Sequence, residues 1–251
     1  MSDYFTMVCP TYIENWSSDL YNMSISQIDV PLSLAEVNVL GSNIKGLGQY
    51  FSEAGQPIDQ IRKRLEAALC HFPDGAFVRL GSRSAKDSLY VQHYGLRITN
   101  AYAAIKMLTE ASARVLFDLL LARRNHYCPH IFVRQWMEIP AWAEFRCFMK
   151  DRKLVGISQY DCKNLGHCPE IAEHTERIRV AIERFFERFK ESSHLDDIVF
   201  DVFAIIHKEE SNVSVEIKLL ELNPFFPKTD SCLFSWSCDS DFDGSFRYIQ
   251  K

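Results

Sequence analysis

The chain has 251 residues, 47% of them hydrophobic and 24% charged, which suits one large core or two intimate subdomains and is too apolar for a disordered chain. Its formal net charge of -5 excludes a surface given broadly to nucleic acid, though a local basic groove stays open. The eight cysteines form no CxxC pair and no zinc spacing, and no run has membrane-spanning length or signal-peptide form, so reduced thiols, no membrane partner and a cytoplasmic location are expected.

Residues 1–50 carry Tyr4, Phe5, Tyr12, Trp16 and Tyr21 without a sustained period, and read as a packed N-terminal extension. Over residues 57–72, Ile61, Leu65, Ala68 and Leu69 recur at helical spacing, and Pro73, Asp74 and Gly75 end the helix. Residues 75–80 read as a strand that passes into the small, donor-rich segment 81–88, where Arg79 and Lys86 supply cations for phosphate oxygens or simply flank a solvated turn. Thr99 is placed to cap one long helix to about residue 124, with Ala103, Met107, Ala111, Val115, Leu119 and Ala122 as its apolar stripe. The two histidines and the cysteine of residues 126–130 lack a fourth ligand at zinc spacing.

Residues 131–138 read as a strand. Arg134 there and Arg146 in the next apolar run interrupt their patterns, either as cations on a wet face or as side chains aimed at an anion. A turn at Lys150, Asp151 and Arg152 joins the run at 143–150 to that at 153–159, and residues 169–193 form an amphipathic helix on Ile171, Ile178, Ile182, Phe185, Phe186 and Phe189. Residues 238–251 read as a C-terminal tail.

The run at 197–206 is strongly β-prone yet holds Asp201, a charge that is costly to bury unless it is paired or bound to metal. A polar connector over 207–212 suggests an antiparallel hairpin to the strand that begins at Glu216. On that strand Leu219, Glu221 and Asn223 share one face and Leu220 and Leu222 the other. If Asp201 opposes Leu219 or Glu221, then Asp201, Glu221 and Asn223 converge as oxygen ligands for a hard cation such as magnesium; a slip of one residue turns Asp201 away. The alternative is a salt bridge from Asp201 to a core arginine.

Four ordered blocks carry a resemblance: FVRLGSRSAKDS at 77–88, AEFRCFMKDRKLVGISQYD at 143–161, IVFDVF at 198–203 and LLELNPFFPKTDSCLFSW at 219–236. Together they resemble the cell division cycle protein 123 family. The resemblance implies an α+β, ATP-grasp-like fold in two lobes, 1–130 and 131–251, with ATP in the cleft between them. It implies that Arg79, Lys86, Arg134 and Arg146 face the phosphates and Gln135, Trp136 and Met137 the adenine, while Asp201, Glu221 and Asn223 hold Mg2+. It further implies an assembly factor for the trimeric translation initiation factor that delivers initiator tRNA. Arg79 stands where the family has lysine. Glu221 with Asn223 matches the Glu-x-Asn pair of catalytic ATP-grasp enzymes, where the family has aspartate. That keeps a second reading open: an ATP-dependent ligase acting on an unidentified acceptor, joining a carboxylate to an amine or an RNA end.

Overall fold

The computed structural model describes residues 2–46, 49, 51, 58–209 and 212–250. Pro57, where the sequence places a helix start, residues 210–211 of the hairpin connector and Lys251 lie outside them. The chain divides into two compact units, Met1–Asn15 with Ser26–Met137 and Trp16–Ile25 with Glu138–Lys251. The N-terminal extension is therefore shared between both units.

The first unit holds a four-stranded sheet in the order β1-β4-β2-β3, formed by β1 (Gln27–Pro31), β2 (Ala76–Leu80), β3 (Arg97–Ile98) and β4 (His130–Gln135). All of its pairings are antiparallel. Ile131, Phe132, Val133 and Arg134 are all buried, as a strand with neighbours on both sides and cover on both faces requires. The main core here gathers Val78, Leu80, Ile131 and Val133 with α3 (Leu34–Ser42), α4 (Asp59–Leu69), α6 (Ala101–Thr109) and α7 (Ala113–Arg124). Two shorter helices, α1 (Ser2–Val8) and α5 (Leu89–Tyr94), complete the unit. On α4 the buried residues are Ile61, Leu65, Ala68 and Leu69, the stripe expected from spacing.

The single helix expected over 99–124 is two helices. Ala111 sits at φ 59 and breaks the ladder. Ser112 caps α7 by accepting from Val115 N at 3.1 Å. The cap of α6 is Asn100, which accepts from Ala103 N at 2.9 Å, and not Thr99.

The second unit holds a five-stranded sheet ordered β8-β7-β5-β6-β9, from β5 (Glu144–Lys150), β6 (Lys153–Gln159), β7 (Ile198–Glu209), β8 (Asn212–Pro224) and β9 (Phe246–Arg247). Asp151 at φ 49 and Arg152 at φ 58 make the two-residue turn between β5 and β6, both in the left-handed region that such hairpins need. One face of the sheet is closed by α8 (Pro169–Ser192), whose Ile171, Ile178, Ile182, Phe185, Phe186 and Phe189 pack on Phe145, Cys147, Phe200 and Val202. Phe189 stacks on Phe200 with ring centroids 4.2 Å apart. Leu20 of α2 (Ser18–Asn22) joins the same core. The stretch read as a tail supplies β9, which pairs in parallel with β6, while Arg247 lies 4.0 Å over the Phe234 ring.

A bulge corrects the expected faces of β8. Asp201 opposes Glu221 but the next residue, Val202, opposes Leu219, so Leu220 is extra. Leu219 therefore turns to the α8 core with Leu222, leaving the face of Glu221 and Asn223.

Candidate functional site

Strand register builds a row of side chains on the sheet face away from α8. Ser158 on β6 opposes Arg146 on β5, Arg146 opposes Asp201 on β7, and Asp201 opposes Glu221 on β8. Directly opposed residues share a face, so these four stand side by side. The neighbouring row, Gly156, Phe148, Val199 and Asn223, brings Asn223 to the same face. Gly156 is needed there because the Phe234 ring lies 2.7 Å from where a Cβ would stand.

Arg146 and Asp201 form a two-pronged ion pair, Nε to Oδ1 at 2.8 Å and Nη2 to Oδ2 at 2.7 Å, with both side chains buried. The third prong, Nη1, donates to the Asp230 carbonyl at 2.8 Å, and the guanidinium lies 4.8 Å from the Tyr160 ring centroid. Asn223 Nδ2 lies 3.3 Å from Asp201 Oδ2 and 3.3 Å from Glu221 Oε1. The loop 225–236 is tied down beside this face: Leu233 N donates to Ser158 Oγ at 3.2 Å, Thr229 Oγ1 to the Pro224 carbonyl at 2.7 Å, and Trp236 Nε1 to the Thr229 carbonyl at 2.7 Å.

Burial pushes the Asp201 carboxyl up; Arg146 draws it back, and Glu221 pushes it up again, leaving it above the usual carboxylate range. For Arg146, burial works downward, but the Asp201 carboxylate more than offsets it and the guanidinium stays above its ordinary range. The two directions describe one situation. A firm ion pair has a second carboxylate, Glu221, pressed against it.

Of the residues expected at the site, the structure brings Arg146, Asp201, Glu221 and Asn223 together. Three of the five Arg146 N–H groups go to Asp201 and to the Asp230 carbonyl. Among the described residues, no group of three His, Cys, Asp or Glu side chains could hold a metal ion; the set here is two carboxylates and an amide. The remaining expected residues belong to the first unit. Arg79 is buried on β2, with Nε donating to the Leu80 carbonyl at 3.0 Å and Nη2 to the Ser82 carbonyl at 3.3 Å. Lys86 is exposed, and Arg134 is buried on β4 opposite Gln27 and Phe77. Gln135 N donates to the Ser26 carbonyl at 2.8 Å and Trp136 N to the Gly75 carbonyl at 3.2 Å; Met137 is half-buried. Sequence reasoning missed Ser158 and Asp230. The spacing of two between Gly156 and Ser158 was the available signal for the first, whereas nothing local marks the carbonyl of Asp230 as a partner for Arg146.

The D123 family model matches residues 49–243. A translation initiation factor eIF2 assembly protein of Sclerotinia sclerotiorum is 32% identical over 199 residues, covering 74% of this chain and 46% of that protein. One of the same description from Xenopus laevis is 37% identical over 107 residues, covering 42% of this chain and 29% of that protein. The chain thus spans about half or less of the length of these two relatives. Among solved structures, Cdc123 from Schizosaccharomyces pombe superimposes with a TM-score of 0.76 at 23% identity, covering 98% of both chains, which shows the fold. With the family match running across most of its length, the chain belongs to the D123 family.

Proposed function

We propose that this chain is an assembly factor for a translation initiation factor complex, and that it binds ATP with magnesium at the Asp201, Glu221 and Asn223 face of its second unit. The role as assembly factor is carried over from the relatives' names, eIF2 assembly protein. The nucleotide site rests on one observation: two carboxylates directly opposed across β7 and β8, with an amide between them and a single arginine on their row.

The donor set fits a hard divalent cation. Each carboxylate oxygen has two lone pairs, so Asp201 keeps capacity beyond the bonds from Arg146 and Asn223. Rotating the Asn223 amide presents its oxygen where the nitrogen now lies between the carboxylates. A cation relieves the repulsion that lifts Asp201. Asp201, Glu221 and Asn223 would hold the magnesium, which would supply charge neutralisation for the phosphates. Arg146 then serves as the residue that holds Asp201 ionised and in position.

A second reading, an ATP-dependent ligase, is favoured by one observation, the Glu221 and Asn223 pair on a single face. Calorimetry with ATP decides the site: affinity should depend on magnesium, and Glu221→Gln should weaken it about tenfold. Equal affinity with and without magnesium sinks the metal site. Labelled ATP offered with candidate acceptors decides the reaction, because a ligase releases ADP or AMP and a binding module leaves ATP intact. Added to separate subunits of the trimeric initiation factor, the protein should raise the yield of the assembled complex; an unchanged yield overturns the assembly role.

A further inference from the structure

β8 is an edge strand, and among the described residues only part of its outer edge is covered. Leu219 N donates to the Met23 carbonyl at 2.9 Å, and Ser24 Oγ donates to the Leu219 carbonyl at 2.8 Å, within a single parallel bridge. The backbone groups of Leu219 therefore face outward. By strand alternation those of Ile217, Val215 and Val213 do too, and among the described residues no strand pairs with them. This open edge borders a groove of about 1370 Å³ that also takes in Arg177, Arg184 and Arg188 of α8.

Those three arginines are exposed and lie seven and four residues apart, so they form one stripe along the helix, spaced roughly 10 and 6 Å. Three acids of the groove are engaged by other cations. Glu176 pairs with Arg179 at 2.6 Å, Glu187 with Lys190 at 2.5 Å and Glu216 with Lys218 at 2.7 Å. The remaining acids of the groove, Asp19 and Glu191, stand at the end closed by α2, where Ser17 Oγ donates to the Ser192 carbonyl at 2.9 Å. Away from that end the groove is cationic and lies beside unpaired backbone.

From this juxtaposition we propose that the outer edge of β8 over Val213–Ile217 takes up an extended acidic peptide of a partner protein as an added strand, its carboxylates meeting Arg177, Arg184 and Arg188. Backbone pairing supplies the binding and alternate side chains the selectivity. On an added strand, side chains of one face repeat at about 6.8 Å, a spacing the arginine stripe can follow. Nothing in this surface depends on nucleotide, so it stands or falls separately from the ATP site.

The test is fluorescence anisotropy of the full chain with a labelled peptide of alternating Glu and Val. The wild type should bind it, and about tenfold more weakly when lysine replaces Glu or when alternate amides are N-methylated. Val215→Pro removes one outward N–H without touching the ladder to β7 and should cause a similar loss, as should the triple change R177A/R184A/R188A. Melting curves check that each variant is folded. If Val215→Pro misfolds, the N-methylated peptide on wild-type protein still decides. Undiminished binding of that peptide overturns the proposal, as does tighter binding of an oligouridylate of equal length or no binding of the acidic peptide at all.

Discussion

At the scale of single residues, the Arg146–Asp201 pair is the most consequential contact of the second unit. Its two partners are buried and matched prong for prong, so the loss of either leaves a charge without compensation. Arg146→Ala should cost about 3–5 kcal/mol in urea unfolding, and a loss below about 1 kcal/mol would mean that water reaches Asp201. The same neighbourhood governs a thiol. Burial pushes Cys232 up to about 12, and although Arg146 draws it back, Asp201 and Asp230 add to the rise. Little of the Cys232 thiol is ionised near neutral pH, so its alkylation should be slow and should speed up as the pH rises. Exposed Cys70, Cys128 and Cys238 should react first with a thiol reagent. Mass spectrometry of the labelled protein checks the order, and early labelling of half-buried Cys232 contradicts a raised thiol.

At the scale of elements, the division of α6 from α7 shows where periodicity misleads. Apolar residues continue at helical spacing across the break, because both helices pack on the same core. What ends α6 is local competition. Ser112 Oγ accepts from Val115 N and donates to Asp87 Oδ1 at 2.6 Å, and Asp87 also accepts from Arg114 N at 3.1 Å. Asn100→Ala should therefore cost about 0.5–2 kcal/mol, while Thr99→Ala, one residue earlier and exposed, should stay within about 0.5 kcal/mol. Thermal melts of the two variants decide between the caps, and equal losses would restore Thr99. The bulge on β8 has the same lesson. Alternation alone puts Leu219 beside Glu221, and only the pairing with β7 reveals the extra residue that separates them.

At the scale of the whole molecule, the chain crosses between its units early: residues 16–25 belong with 138–251. Leu20 is 4% exposed and sits in the core of Phe145, Ile178 and Phe200. Leu20→Ala should destabilise the second unit by about 2–5 kcal/mol. Hydrogen exchange should quicken in β5 and β7 and stay unchanged in β2 and β4; equal quickening in both sheets would argue against this division.

Much of this was legible in the chain itself. The stripes of α4 and α8, the β5–β6 turn and the burial of Asp201 follow from spacing, turn chemistry and the cost of an apolar-bounded charge, which are local properties of neighbouring residues. The grouping of Arg146, Asp201, Glu221 and Asn223 needed more. Pairing places Arg146 and Glu221 on either side of Asp201, and a shift of one residue would have sent their side chains to opposite faces. The tertiary structure alone decided that Arg146 grips Asp201, that the Asp230 carbonyl takes its third prong, and that residues 246–247 return to pair with β6. These contacts join residues 55, 84 and about 90 positions apart, distances over which no sequence pattern repeats, so that only the packed fold selects the partners.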